Sequence, residues 1–313
     1  MDHVNRLKSE ISKVMVGMDS EVELLTISLL FNGHILLESV PGTGKTMLAK
    51  SFANSINGVF SRIQFTPDVL PSDVTGIQFF NPKVQEFELR TGPIVANIVL
   101  ADEINRATPR TQSSLLEVME ERQVTIDGIT VKVNDPFMVI ATQNPVEAQQ
   151  GTFSLPVAQM DRFFMKLTME YPSLESEKEI LKQARGVGNG NKTIAVLSHD
   201  EIRELQDAVQ NIIINDTVES YLLQIVRKTR QHPEIDLGVS PRGALALMKA
   251  SQGQAFLEDR EFVIPEDIKK MVPYVLGHRV ILSTEASFTK TAETVLKEVV
   301  ESVPVPVEMG FHS

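Results

Sequence analysis

Apolar residues recur at helical spacing from the start of the chain: Val4, Leu7, Ile11 and Val14 fall on one face, and Gly17 closes the run. A second helix is predicted over residues 19–30, stopping near Asn32-Gly33. His34-Ile-Leu-Leu-Glu38 then reads as a short buried strand. After a glycine-rich loop a helix opens at Lys45, with Leu48, Ala49 and Phe52 on one side. Arg62 to Phe65 is a strand candidate, and Ile98-Val-Leu-Ala101 and Phe137-Met-Val-Ile-Ala-Thr142 are two more, both too apolar for a wet edge. Strands alternating with helices predict an α/β domain over 1–171, a parallel sheet with helices on both faces.

After Tyr171-Pro172 the pattern changes. Ser198-His-Asp-Glu201 has the spacing of a capping box and opens a helix with Ile202, Leu205 and Val209 inward. Helical runs follow over 216–229, 241–257 and 265–276, the last two with proline near the start. No strand is predicted here, and Gly186-Val-Gly-Asn-Gly190 reads as a connector. The expectation is an all-helical domain over 172–313, with an extended tail from Val303 to Glu308.

The 313 residues suit two domains, and 42% hydrophobic with 23% charged residues is ordinary for a globular chain. The absence of cysteine excludes disulfides, thiolate zinc sites and thiol chemistry. The start, Met-Asp-His-Val-Asn-Arg6, lacks the basic end and apolar run of a signal peptide, and the stretch from Val22 to Val40 is broken by Asn32, Gly33 and His34. A cytoplasmic location without membrane insertion is expected. A net charge of −11 argues against nucleic acid as the main partner.

Ser39, Val40, Pro41, Gly42, Thr43, Gly44, Lys45 and Thr46 lie between a predicted strand and a predicted helix, with Met47 next in that helix. This is the context of a phosphate-binding loop. Glycines at 42 and 44 let backbone N–H groups turn toward phosphate oxygens, and the opening helix aims its positive end at the same place. Lys45 adds a full charge for the β- and γ-phosphates, and Thr46 a hydroxyl for magnesium. The loop pattern has glycine where Ser39 stands. Asp102 and Glu103 end an apolar strand, where open α/β sheets bind ligands. Asp102 suits the magnesium shell, and Glu103 the polarisation of a water attacking the γ-phosphate of ATP. Asn144 ends another apolar strand, either orienting a water or satisfied within its loop. His34 reads as a core histidine, and the Glu117–Glu121 cluster as a solvated helix face.

The loop from Ser39 to Thr46, the runs Ile98-Val-Leu-Ala-Asp-Glu-Ile-Asn-Arg-Ala107 and Ala141-Thr-Gln-Asn-Pro145, and Leu155-Pro-Val-Ala-Gln-Met-Asp-Arg-Phe163 resemble the MoxR family of AAA+ ATPases. So do Gln64-Phe-Thr-Pro-Asp68, Ser72-Asp-Val-Thr-Gly76 and Glu120-Glu-Arg-Gln-Val124, with Ser240-Pro-Arg-Gly243 the best anchor in the helical part. The resemblance implies a P-loop AAA+ domain followed by a small helical lid. It implies that Asn144 acts as sensor one, Arg162 as an arginine finger toward a neighbouring subunit, and Arg242 as the sensor-two arginine, in cis or in trans. It also implies ATP and Mg2+ as cofactors, a ring homo-oligomer, usually a hexamer, and chaperone-like remodelling with von Willebrand factor A domain partners. Gln123 to Val131, around Asp127-Gly128, resembles the family's pre-sensor hairpin, and Phe79 to Gly92, turning at Asn81-Pro82, its helix-two insert. Ser154 and Val157 depart from the family's common proline and glutamate. Three further functions stay open: a slow nucleotide-dependent switch, the motor subunit of a metal chelatase, and a nucleic-acid remodeller.

Overall fold

The computed structural model of the chain describes residues 2–39, 42–144, 152–185 and 193–306; Val40, Pro41, Pro145 and the Gly186–Gly190 connector lie outside the described residues. The chain divides into two compact units, one of Met1–Phe163 with Leu167–Arg203, the other of Phe164–Lys166 with Glu204–Ser313. In order, the elements of the first part are α1 (Asp2–Ser12), α2 (Asp19–Leu30), β1 (Ile35–Ser39), α3 (Lys45–Ser55), β2 (Phe60–Gln64), α4 (Pro71–Thr75), β3 (Gly76–Asn81), β4 (Glu86–Thr91) and β5 (Ile98–Asp102). A 3-10 turn (Ile104–Arg106), α5 (Pro109–Glu121), β6 (Gln123–Ile126), β7 (Ile129–Lys132), β8 (Met138–Gln143), α6 (Val157–Met160), β9 (Met165–Met169) and α7 (Leu174–Arg185) follow.

The first unit is built on a five-stranded sheet in the order β2-β5-β8-β1-β9. β2 pairs with β5, β5 with β8 and β8 with β1, all parallel. β5 is buried along its whole length and β8 nearly so, as the continuous apolar runs predict for strands covered on both faces, whereas β2 at the edge exposes Arg62 and Gln64 and buries Ile63. The registers Gln64↔Asp102, Ala101↔Ala141 and Glu38↔Gln143 bring the carboxyl ends of four strands to one edge.

His34 ties layers of this unit together. Its Nδ1 accepts from the Val139 N–H at 2.9 Å, so the proton sits on Nε2, which donates to the Met119 carbonyl at 3.0 Å. The ring also stands edge-on to Phe137, 5.5 Å between centroids. It is the core histidine that the sequence suggested.

Two hairpins leave the sheet. β6 and β7 pair antiparallel around Asp127 (φ 48°) and Gly128 (φ 88°), the two left-handed residues of a tight hairpin turn. β3 and β4 pair from Gly76↔Thr91 to Asn81↔Glu86, and the Asn81 side chain accepts from the Lys83 N–H at 3.0 Å to set the turn. Gly76 has φ 114°, and a Cβ there would stand 2.3 Å from the Arg90 carbonyl oxygen, so this hairpin requires glycine at its base.

The expected boundary after Tyr171 is earlier than the observed division. Residues 193–203 hold to the first unit by contacts that leave no mark in local periodicity. The N–H groups of Val196 and Leu197 donate to the Ser55 carbonyl at 2.9 and 3.1 Å, that of Ile194 donates to Glu10 at 3.0 Å, and Arg203 pairs with Asp135 at 3.1 Å.

The remaining elements are α8 (His199–Val209), α9 (Asp216–Thr229), β10 (Ile235–Leu237), α10 (Pro241–Leu257), α11 (Pro265–Leu276), β11 (Ile281–Leu282), α12 (Thr284–Ser287) and α13 (Ala292–Glu301). The capping box is present: Ser198 N–H donates to Glu201 at 2.7 Å and Glu201 N–H to the Ser198 hydroxyl at 3.2 Å. The expectation of no strand is corrected, since β10 and β11 pair antiparallel; at three and two residues they are too short to announce themselves. In Ser240-Pro-Arg-Gly243 the serine hydroxyl caps α10 by accepting from the Gly243 N–H at 3.1 Å, and the proline occupies its first turn. A Cβ at Gly243 would lie 2.6 Å from Val239 Cγ1 and 2.8 Å from Arg279 Cδ, which explains the glycine. Arg279 is buried and donates to the carbonyls of Val275 and Phe164.

Replacing His34 by alanine strands a buried N–H and a buried carbonyl in the first unit. The expected cost is about 2–4 kcal/mol, read as a lower urea midpoint with an unchanged slope.

Candidate functional site

The loop after β1 turns through two left-handed glycines, Gly42 (φ 86°) and Gly44 (φ 85°), the second being the residue before α3. A Cβ on Gly42 would meet nothing within 4 Å, so backbone conformation, not crowding, requires glycine there. Ser39, where the loop pattern has glycine, is buried at the end of the strand, and its hydroxyl has no hydrogen-bond partner among the described residues. Thr43 is buried, Lys45 and Thr46 are half-buried in the first turn of α3, and Met47 is exposed.

Lys45 reaches across the sheet edge to Asp102, Nζ to Oδ1 at 2.9 Å. The same Oδ1 accepts the Thr142 hydroxyl at 2.6 Å, and Oδ2 accepts Arg62 Nη2 at 2.6 Å. Asp102 is 2% exposed. Burial pushes its carboxyl up, but the hydrogen bonds from Thr142, Lys45 and Arg62 and the Lys45 charge outweigh that and leave it below its ordinary value.

Glu103 adopts φ 58°, ψ 48°, a left-handed conformation that costs a β-carbon-bearing residue about 1–2 kcal/mol. Three groups hold it. Its N–H donates to the Thr142 hydroxyl at 2.9 Å, its carbonyl accepts the Arg106 N–H at 2.9 Å, and its Oε2 accepts Gln64 Nε2 at 2.8 Å and Arg106 Nη1 at 3.1 Å. The turn swings the carboxylate off the strand axis toward β2. Thr142 thus ties the two acids together, donating to Asp102 and accepting from Glu103. Asn144 is buried one residue past β8, and Gln143 donates to Glu38 on β1 at 2.7 Å.

Arg162 lies just beyond α6 and pairs with Glu120 of α5, Nε to Oε2 at 3.4 Å. Glu117, Glu120 and Glu121 are all exposed, the solvated face that the sequence suggested, and Glu120 pairs with Arg162 on it. Arg242 belongs to the second unit, exposed in the first turn of α10. The structure thus gathers Gly42, Gly44, Lys45, Thr46, Asp102, Glu103 and Asn144 at one sheet edge of the first unit, while Val40 and Pro41 lie outside the described residues. Sequence reasoning assigned no role to Arg62, Gln64, Arg106 or Thr142. The available signal was the placement of Arg62 and Gln64 two apart in a strand, hence on one face.

Chemically, the edge offers a helix N-terminus behind two left-handed glycines, the Lys45 ammonium and the acceptor-only Asp102 carboxylate. That donor set fits a polyphosphate, and the oxygens of Asp102 and Thr46 fit a hard divalent cation such as magnesium.

Comparison with known proteins agrees with this geometry. The model of the ATPase family associated with various cellular activities (AAA) matches residues 34–165, and that of the AAA lid domain residues 227–299. The chain is 50% identical over 309 residues to the uncharacterized protein YeaC of Bacillus subtilis, covering 98% of this chain and 94% of that one. It is 39% identical over 307 residues to Chaperone MoxR1 of Mycobacterium tuberculosis, covering 95% and 81%. A crystal structure of a proposed ATPase from Cytophaga hutchinsonii superposes with a TM-score of 0.91 at 36% identity, over 98% of this chain and 96% of that one. Among the described residues no helix is long and apolar enough to cross a membrane.

The depressed carboxyl of Asp102 carries a pH consequence. The folded state binds that proton less readily than the unfolded chain, so the stabilisation is full above about pH 4 and is lost as pH falls through the folded value. Asp102→Asn removes this titration, and its melting temperature should fall less steeply than wild type between about pH 5 and pH 2.

Proposed function

Because this chain belongs to the MoxR family of AAA+ ATPases, we propose that it hydrolyses magnesium-bound ATP at the Lys45–Asp102–Glu103 edge. On this reading the turnover drives remodelling of protein complexes. The observation that carries the reading is the placement of a lysine, a charged buried aspartate and a strained glutamate side by side, at the mouth of a two-glycine loop.

In this reading Lys45 leaves Asp102 for the β- and γ-phosphates, with Ser39, Val40, Pro41, Thr43 and Met47 completing the loop and the start of its helix. The freed Asp102 and the Thr46 hydroxyl hold magnesium, which neutralises phosphate charge when bound. Glu103 takes the proton of the attacking water, and Asn144 orients that water with its amide. Arg162 is presented to the nucleotide of a neighbouring subunit in a homo-oligomeric ring, a hexamer, and Arg242 senses nucleotide from the lid. The cytoplasm is the proposed location, with von Willebrand factor A domain proteins as partners.

A protein client is favoured over nucleic acid by charge and by the β3–β4 hairpin. The net charge is −11, and that hairpin, on which Lys83 and Arg90 balance Glu86 and Glu88, carries an exposed, edge-to-face Phe80–Phe87 pair 5.4 Å apart. One observation favours the slow-switch alternative: in this structure Gln64 and Arg106 both occupy Glu103 Oε2, so the base is restrained.

Glu103→Gln is expected to retain ATP and magnesium binding while turnover falls by about two to four orders of magnitude, since an amide does not accept the water's proton. Steady-state phosphate release together with equilibrium nucleotide titration checks both halves; wild-type turnover in the variant removes Glu103 from the role of base.

The ring is tested by complementation. Arg162→Ala keeps its pocket but lacks the finger, with an expected loss of roughly 10³–10⁵ in rate, whereas Lys45→Ala keeps the finger but loses the pocket. Mixing the two inactive proteins should restore partial ATPase activity that rises with total concentration. An inactive mixture in rings shown by light scattering to contain both variants assigns Arg162 to its pairing with Glu120 alone.

A further inference from the structure

A groove of about 480 Å³ opens in the second unit between α11 and α13. One face of each helix walls it, with Val272 and Pro273 on α11 and Leu296 and Val300 on α13. Lys269 and Lys297 at its rim are matched by Glu293 and Glu301, so the groove selects for apolar surface and not for one sign of charge. Pro273 adds a polar feature. Standing inside α11, it has no N–H to return to the Lys269 carbonyl one turn earlier, so the helix itself leaves an acceptor open beside the groove.

The chain comes to this groove from the end of α13. Val303 is buried, Pro304 is exposed, and Val305 lines the groove while still 41% exposed. That is the alternation of an extended chain. Pro304 and Pro306 fix their own φ and push the valines before them toward extended backbone, so less entropy remains to be lost on docking. Residues 307–313 lie outside the described residues, but the sequence carries the same period onward. After Val303 and Val305 the odd positions are Val307, Met309 and Phe311, whereas Glu308, Gly310 and His312 follow the two prolines at the even ones.

We infer that the groove is the seat of this chain's own segment 307–311, which continues the line begun by Val303 and Val305. Length permits it. The groove runs back along α13 from Glu301 to Glu293, about 12 Å at 1.5 Å per residue. An extended chain from Val305 to Phe311 spans roughly 20 Å and covers that distance. Neither proline has an N–H, so Val307 is the first residue after Val305 that can donate to the open Lys269 carbonyl. A segment tethered at the mouth of the groove has an effective concentration on the order of millimolar, which favours it over any separate chain.

Hydrogen exchange on the full chain, read by mass spectrometry of its last peptides, tests the docking. The amides of Val307 to Phe311 are expected to exchange at least about tenfold more slowly than in a synthetic peptide of residues 303–313. Val300→Glu puts a charge in the groove, and Phe311→Ser removes the bulkiest apolar side chain of the segment. Each should bring exchange back to within about twofold of the peptide rate. If Val300→Glu does not fold, Val305→Asp, at an exposed position, makes the same test. Peptide-like exchange in the wild-type chain overturns the inference, as does protection that survives these substitutions. Mixing identifies the donor of the segment, since Val300→Glu keeps the segment and loses the groove, and Phe311→Ser does the reverse. No recovery of protection on the Val300→Glu segment in an equimolar mixture supports docking within one chain. Recovery there makes a second copy the occupant and overturns it.

Discussion

The arrangement of the first unit depends on a charge kept out of water. A carboxylate buried at the end of β5 is tolerable only with donors on every side, and Asp102 has them from three different elements: Lys45 from α3, Arg62 from β2 and Thr142 from β8. That requirement fixes the relative height of the strands at this edge. It also explains why the neighbours of Asp102 are themselves held, since Thr142 and Arg62 each pass a second hydrogen bond onward, to the Glu103 backbone and to Gln64. Removing a single donor leaves an under-compensated charge, which is why the site behaves as a unit and not as a set of independent side chains.

Much of this was legible in the residue pattern, for reasons that can be named. β5 and β8 are buried on both faces, so their apolar runs are continuous and their ends unmistakable. The helices over 216–229, 241–257 and 265–276 open on a side-chain cap, on a cap with a proline, and on a proline, in that order, and the structure places them at those residues. The phosphate loop and the acid pair are local in sequence, so reading them required no tertiary information. The partners of those acids are not local. Arg62 and Gln64 lie about forty residues before Asp102 and Glu103, and Thr142 as far after. Only the strand order β2-β5-β8 makes them neighbours. The same holds for residues 193–203, whose bonds to Ser55, Glu10 and Asp135 are long-range and set the division of the chain.

The second unit shows how a short motif acquires a structural meaning apart from its ligand. In Ser240-Pro-Arg-Gly243 three of the four positions are accounted for by the opening of α10: a capping hydroxyl, a proline in the first turn, and a glycine against Arg279. Arg242, between them in the first turn, is exposed. The capped start of α10 means that the arginine is carried on a fixed stretch of backbone.

The left-handed turn at Glu103 has a consequence for anyone who tries to harden this protein. A residue with a β-carbon sits where glycine would be at ease, so part of the molecule's folding energy is invested in aiming one carboxylate. A screen that selects survivors of heating and ignores chemistry would find an easy improvement here, with glycine or asparagine at position 103, and would return a sturdier scaffold with the working group gone. Thermal robustness and turnover pull in opposite directions at this residue, and a library built for the first should keep position 103 closed.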